Sequence, residues 1–379
     1  MNKLKIGIDA MYIREKEASG VKKYAEEVLK GFEENCDKYE FVLFVDSDLK
    51  EFYSDMFKNF KIVSLKIPFK NVKYIRGIFN RTITKSLKKR VLKKEKCDII
   101  FHPFVDDITP ILYKKNEILT IHDLIPIDSI EDKESKLYKT RKKALKRIID
   151  KGNNIVTISQ YSKDRMIELS DNDGKNITVI PNAVKKPTIT KEQAEEKYIL
   201  SINAFNIYKN QMTLVKAFNI IRDKIEDKLV LVGRPELDGK TSSYNDIVDF
   251  IDENDLKDRV QILSYISDEE RDKLLCRTDL FVSTSTIEGF GRTPVEAAMC
   301  EVPVITTKET ALPETTMNLL YYYDNPYDEN ELATEMLKIL NNKPSDAKLK
   351  EISLQLKEKY SLENISKEYS KLFEKIVND

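Results

Sequence analysis

The residues best placed to do chemistry share one stretch, 279–314, DLFVSTSTIEGFGRTPVEAAMCEVPVITTKETALPE. Glu288 and Glu296 stand eight positions apart within it. Between them Gly289, Phe290 and Gly291 form a loop whose glycines leave backbone amides uncovered, and Arg292 follows. Residues 279–283 are an apolar run of strand length, and 302–306 are another. Between those strands Thr293 offers an N-cap hydroxyl, Pro294 an N1 ring and Glu296 an N3 carboxylate, which predicts a helix start there. Exposed amides at a helix N-terminus attract anions, phosphate above all. Carboxylates on either side can accept hydrogen bonds from hydroxyls. A ligand with a diphosphate in its middle and a sugar at each end matches that chemistry. Thr293-x-x-Glu296 also reads as a capping box, in which Glu296 only starts the helix.

Several elements must hold these groups. Apolar runs predict strands at 3–8, 40–45, 60–65, 97–101, 117–121, 154–158 and 176–180, then at 198–202, 229–232 and 260–263. Helical spacing fills many of the gaps, over 21–32, 67–96, 134–151, 243–254, 268–276 and 362–377. Alternating strand and helix is the sign of parallel sheets in an α/β protein. Two doubly wound, Rossmann-like domains fit the length of 379 residues. Residues 184–190, with Pro187, read as the linker, which gives domains 1–186 and 187–361, with the last helix, 362–379, returning to the first.

Further candidates lie at strand ends, where open α/β sheets bind ligands. Ser19 and Gly20 precede the first helix, at the place where a phosphate approaches in doubly wound folds, although strand-to-helix turns often need glycine for geometry alone. His122 ends the 117–121 strand; a lone histidine is more often structural. Lys209 precedes the helix that runs to about Arg222, and Arg234 follows the 229–232 strand. Asp46-Ser47-Asp48 has the spacing of a metal-binding pair, but it follows only the second strand, where short acidic residues are ordinary turn formers.

Composition removes other classes. Lys plus Arg and Asp plus Glu are 64 each, so no net charge argues for nucleic acid. The basic residues are clustered: 58–96 holds 14 Lys or Arg against Glu95 alone, and 133–151 holds nine against Glu134 and Asp150. Segment 67–96 therefore reads as a basic amphipathic helix, suited to an anionic membrane surface or a phosphate-bearing acceptor, or else as a solvated face of its own domain. Cys36, Cys97, Cys276 and Cys300 form no CxxC pair, which points to free thiols in a reducing cytoplasm and to no metal site. The first residues lack a signal-peptide plan, and no run approaches a membrane span. The expected location is cytoplasmic, with peripheral attachment at the inner face of the membrane through 67–96. A dinucleotide-dependent oxidoreductase should show GxGxxG after a strand with an acidic residue about 20 positions on, and this chain does not.

Taken whole, Glu288, Gly289-Phe290-Gly291, Pro294-Val295-Glu296-Ala297, Val302-Pro303-Val304-Ile305 and Ala311-Leu312-Pro313-Glu314 resemble the signature of retaining glycosyltransferases of the family-4 type, also called glycosyl transferases group 1. That resemblance implies the GT-B fold, two Rossmann-like domains facing a cleft. It implies that Glu288 meets the donor sugar and Glu296 the nucleotide ribose. Ser19-Gly20 and Lys209 would face the donor diphosphate, with Arg234, Arg292 and the Gly289–Gly291 loop beside it. His122, in a TIHDL segment similar to the family's, would touch the donor sugar. The implied activity is metal-independent hexosyl transfer from a nucleoside-diphosphate sugar to a glycan or lipid-linked acceptor, with no cofactor beyond the donor. Similarity of the HDL-I-P and ALPE segments to bacterial mannosyl and rhamnosyl transferases makes GDP-mannose the first expectation. One departure stands out: the family places an arginine five positions before the lysine matched by Lys209, and here that position is Ala204. Arg292 is the expected replacement, unless it pairs with a carboxylate such as Glu288 or Glu314. The same departure supports a second reading, a weak or inactive sugar-nucleotide-binding homologue acting as a regulatory partner.

Overall fold

The computed structural model describes residues 3–13, 20–66, 78–105, 109–187, 189, 196–234, 242–264 and 266–378, with the backbone alone for 78–81. It divides into two compact units, Met1–Ala183 with Ser361–Asp379, and Val184–Tyr360.

Unit 1 is built on seven parallel strands: β1 (Leu4–Asp9), β2 (Tyr39–Asp46), β3 (Lys61–Leu65), β4 (Ile99–His102), β5 (Glu117–Thr120), β6 (Asn154–Thr157) and β7 (Ile177–Val179). Their order is β3-β2-β1-β4-β5-β6-β7, so the winding reverses at β1, with Ile6 opposite Phe41 on one side and Ile99 on the other. Ile6, Ile8, Val42, Phe44 and Phe101 are all fully or nearly fully enclosed, as expected of parallel strands covered on both faces. The terminal helix Leu362–Asn378 belongs to this unit. Its amphipathic face sets Tyr369 and Phe373 edge-on against Phe32. Ser366 Oγ donates to the Gly31 carbonyl at 2.8 Å, and a Cβ on Gly31 would lie 3.2 Å from the Leu362 carbonyl oxygen, so the helices approach because this residue is glycine.

The basic segment forms a helix over Ile78–Lys94, and 67–77 lie outside the described residues. Thr84, Lys88 and Leu92 make its buried line, and Lys88 is 1% exposed. One of the expected surface charges thus sits inside the unit. Asp46 does what a turn former does: its Oδ1 accepts from the Asp48 amide at 3.2 Å and caps a short 3-10 helix, Ser47–Leu49.

Unit 2 has six parallel strands, β8 (Tyr198–Ile202), β9 (Lys228–Val232), β10 (Val260–Leu263), β11 (Leu280–Val282), β12 (Val304–Thr307) and β13 (Tyr321–Tyr323), in the order β10-β9-β8-β11-β12-β13. Helix Gln211–Ile221 brings Leu214, Val215 and Phe218, and helix Glu329–Asn341 brings Leu332 and Met336, onto Ile199, Leu229, Leu231 and Val282. Strand order reverses between β8 and β11, which makes the loops after these two strands the natural ligand crevice of this unit.

Candidate active site

Both loops at that switch point carry candidate residues. After β8 the chain turns through a short 3-10 helix, Ile207–Lys209, and Asn210 takes a left-handed conformation with φ 50°. After β11 the chain runs to Glu288. Thr286 reaches across, its amide donating to the Tyr208 carbonyl at 2.8 Å, and Thr284 Oγ1 donates to the Lys209 carbonyl at 2.9 Å. These bonds fix the lysine beside the carboxylate: Lys209 Nζ lies 2.6 Å from Glu288 Oε1. The two side chains are 14% and 11% exposed. The Glu288 amide donates to Thr310 Oγ1 at 2.9 Å, which ties the loop to the turn that follows β12.

The glycine loop enters helix Arg292–Met299 differently from the sequence expectation. Gly291, not Thr293, is the N-cap; its φ is 77°, and no side chain caps the helix. Glycine makes this turn because a Cβ would meet Leu312 Cδ2 at 2.4 Å. With the start moved, Pro294 stands third in the helix rather than first, and the capping-box role of Glu296 is lost. Phe290 is buried and packs edge-on against Tyr360, whose hydroxyl donates to the Thr315 carbonyl at 2.6 Å.

Glu296 is fully enclosed and holds two guanidinium groups. Arg292 Nε donates to Oε1 at 2.9 Å, one helical turn back. Arg271 Nη1, from helix Asp268–Arg277, lies 3.2 Å from Oε2. Arg292 therefore pairs with a carboxylate, the alternative the sequence left open, and Glu296 of its own helix is that partner. Burial alone lowers the Arg271 pKa, but Glu296 and its neighbour Asp272 hold it above its ordinary value. Arg271 escaped the sequence reading. Its signal was a positive charge four positions before the buried Leu275, hence on the inward face of its helix.

The other candidates stand on other elements. Arg234 is exposed at the end of β9, and its carbonyl accepts from the Phe205 amide at 3.5 Å. Ala204 precedes that enclosed phenylalanine. In unit 1 Gly20 opens helix Gly20–Glu33, and a Cβ there would meet nothing within 4 Å among the described residues; Ser19 lies outside them. His122 Nε2 is 2.8 Å from the Pro103 carbonyl, an atom that can only accept, so Nε2 carries the proton and Nδ1 is the acceptor nitrogen. Tyr24 meets the ring edge-on at 4.5 Å. The surrounding protein pushes the imidazole pKa down to about 4, which keeps it neutral near pH 7.

His102, with no sequence support, occupies a buried ionic group at the switch point of unit 1. Its Nδ1 is 3.1 Å from Asp9 Oδ2 and its Nε2 is 2.9 Å from Glu117 Oε1. Burial lowers its pKa, but the bonds to Asp9 and Glu117 prevail and raise it to about 9. Burial pushes the Asp9 carboxyl up, and His102 with Lys88 holds it below its ordinary value.

Comparison with known proteins gives the family and the fold. Residues 18–186 match the family model described as Glycosyltransferase Family 4, and residues 184–355 match Glycosyl transferases group 1. O-antigen chain mannosyltransferase RfbU of Salmonella typhimurium is 28% identical over 215 residues, 57% of this chain and 58% of that relative, so the match spans less than two thirds of its length. Among solved structures, a glycosyltransferase from Rickettsia africae matches with a TM-score of 0.74 at 18% identity over 100% of both chains. Anabaena Alr3699/HepE in complex with UDP-glucose matches with a TM-score of 0.70 at 14% identity over 98% of this chain and 100% of its own. The two family models together take in residues 18–355, and the chain belongs to the group 1, family-4-type glycosyltransferases, with the two-unit α/β GT-B fold.

Proposed function

We propose that the chain is a retaining glycosyltransferase that moves a hexosyl unit, mannose in the first instance, from a nucleoside-diphosphate sugar to a glycan or lipid-linked acceptor in surface-polysaccharide or glycoconjugate synthesis. The observation that carries this reading is the Lys209–Glu288 pair at the switch point of unit 2, with a left-handed glycine and a helix N-terminus directly after it. As the donor's bond to its sugar breaks, negative charge grows on the leaving diphosphate. Lys209, the amides around Gly20 and Gly291, and Arg234 are the groups assigned to that charge, in place of a metal ion. Glu288 accepts from the sugar hydroxyls, His122 contacts the same sugar, and Glu296 faces the ribose. In this reading residues 187–361 bind the donor, and residues 1–186, joined by 362–379, receive the acceptor. The name of RfbU supports mannose. Segment 67–96 is the proposed contact with an anionic membrane surface, where the exposed Arg90, Lys93 and Lys94 are charges left to it once Lys88 is buried.

A thermal-shift panel of GDP-, UDP- and dTDP-sugars, run with and without EDTA, tests the reading, because a ligand of the folded form raises its stability. GDP-mannose is expected to raise Tm and to turn over in both buffers. Activity abolished by EDTA and restored by manganese would remove the metal-free mechanism. Binding without turnover of any sugar would favour the regulatory homologue instead, a reading that Ala204 motivates. If no sugar nucleotide binds, both readings fall.

A further inference from the structure

We propose that Arg271 is a positioning residue for the donor site: it holds Glu296 in the orientation from which that carboxylate can meet the ribose. The inference rests on the donor-site reading above, and on one juxtaposition that reading does not use.

A carboxylate shut away from water keeps its charge only beside cations or N–H donors. Glu296 is 0% exposed; Arg292 Nε donates a hydrogen bond to its Oε1, and Arg271 Nη1 stands 3.2 Å from Oε2 as an ion pair rather than a hydrogen bond. The two guanidiniums differ in kind. Arg292 is a local partner, on the same helix one turn away, and moves with Glu296. Arg271 comes from another helix and reaches the other oxygen. A single cation leaves a carboxylate free to swing about its last side-chain bond. A second one beside the opposite oxygen, from a different element, restrains that swing through charge attraction.

Arg271 is itself held for this task. Its Nε and Nη2 lie 3.0 and 2.6 Å from Asp272 Oδ1, which leaves Nη1 for Glu296. Its place is costly otherwise. A positive charge in the N-terminal half of a short helix opposes the helix dipole, and here it is also 18% exposed on an inward face. Asp268, Glu269 and Glu270 in the first turn offset part of that cost. Helix Asp268–Arg277 has independent anchors on its neighbour, since Cys276 and Cys300 are in contact where the two helices end, and Leu275 is buried in the unit. Packing alone would be served as well by leucine at 271.

The test compares affinity for GDP or UDP, whichever binds the wild type, with affinity for its 2′,3′-dideoxy analogue. Wild type, Glu296→Gln, Arg271→Leu and Arg271→Lys are measured by calorimetry, with unfolding midpoints recorded for each. The wild type is expected to prefer the ribose form, and Glu296→Gln to lose about tenfold of that preference. Arg271→Leu should lose a similar share while binding the dideoxy analogue within about twofold of wild type. Arg271→Lys, which keeps the charge without the fork, should recover part of the preference. If Arg271→Leu does not fold, the lysine variant decides, since an unchanged ribose preference there overturns the proposal. A ribose preference intact in Arg271→Leu but lost in Glu296→Gln also overturns it. A preference intact in Glu296→Gln removes the ribose reading beneath it.

Discussion

At the scale of single residues, the Lys209–Glu288 pair has a double identity. It is a largely buried ion pair, and such pairs can exist for structure alone. It also presents the two charges that a sugar diphosphate would divide between them. Glu288→Gln separates these roles, because the amide oxygen can still accept from Lys209. Turnover is expected to fall by about a hundredfold or more, with the unfolding midpoint in urea nearly unchanged. A variant that loses stability but keeps its rate would make the pair structural. The pair was half legible beforehand. The resemblance singled out both residues, but not that the bonds of Thr284 and Thr286 to the 208–209 backbone would bring them together, because such bonds depend on loop geometry that spacing does not record. Arg292 shows the opposite case. Its oddity at a helix N-terminus was visible, while its partner was not, since Glu296 was read only as a ribose contact or as part of a cap, and the cap position falls to Gly291.

At the scale of elements, the two glycines at strand-to-helix turns make contrasting cases. Gly291 has a left-handed backbone and a neighbour where its Cβ would be. Gly291→Ala should cost roughly 2–3 kcal/mol of stability, from backbone strain and the displaced Leu312, and denaturant melts would read it directly. Among the described residues, nothing stands within 4 Å of where a Cβ on Gly20 would be. Gly20→Ala should leave stability within about 0.5 kcal/mol of wild type and yet weaken donor turnover, because a methyl group there would crowd a phosphate approaching the helix N-terminus. Unchanged turnover would place the ligand elsewhere. Strands such as β8 and β10 were legible to the residue, because buried parallel strands are short unbroken apolar runs. β13 was not, because Tyr321–Tyr323 is a three-residue edge of half-polar tyrosines that only two leucines precede. The long helix Asp346–Tyr360 also went unread: Leu349, Ile352 and Leu356 sit on one face between lysines and glutamates, and only its packing on helix Arg292–Met299 shows why it is needed.

At the scale of the whole molecule, two histidines set opposite flanks of a stability profile. His102 has a folded pKa of about 9 against an ordinary 6.5. Its contribution is complete below pH 6.5 and is lost as pH rises through about 9, because the native state then holds a proton that the unfolded chain has released. The size is roughly 3 kcal/mol, at about 1.4 kcal/mol for each pH unit between the two values. His122 has the reverse sign, with a folded pKa of about 4. Its contribution is present above pH 6.5 and is lost as pH falls toward 4, because the unfolded chain takes up the proton first. Asp9, held below its ordinary value, adds to the acid flank at still lower pH. Urea unfolding followed from pH 4 to 9.5 should therefore show a maximum near pH 6.5. His102→Gln should be less stable at that pH, since Asp9 and Glu117 lose a cation, but its profile should be flat from pH 6.5 to 9. An alkaline slope that survives in His102→Gln would mean that His102 is not the group that titrates there.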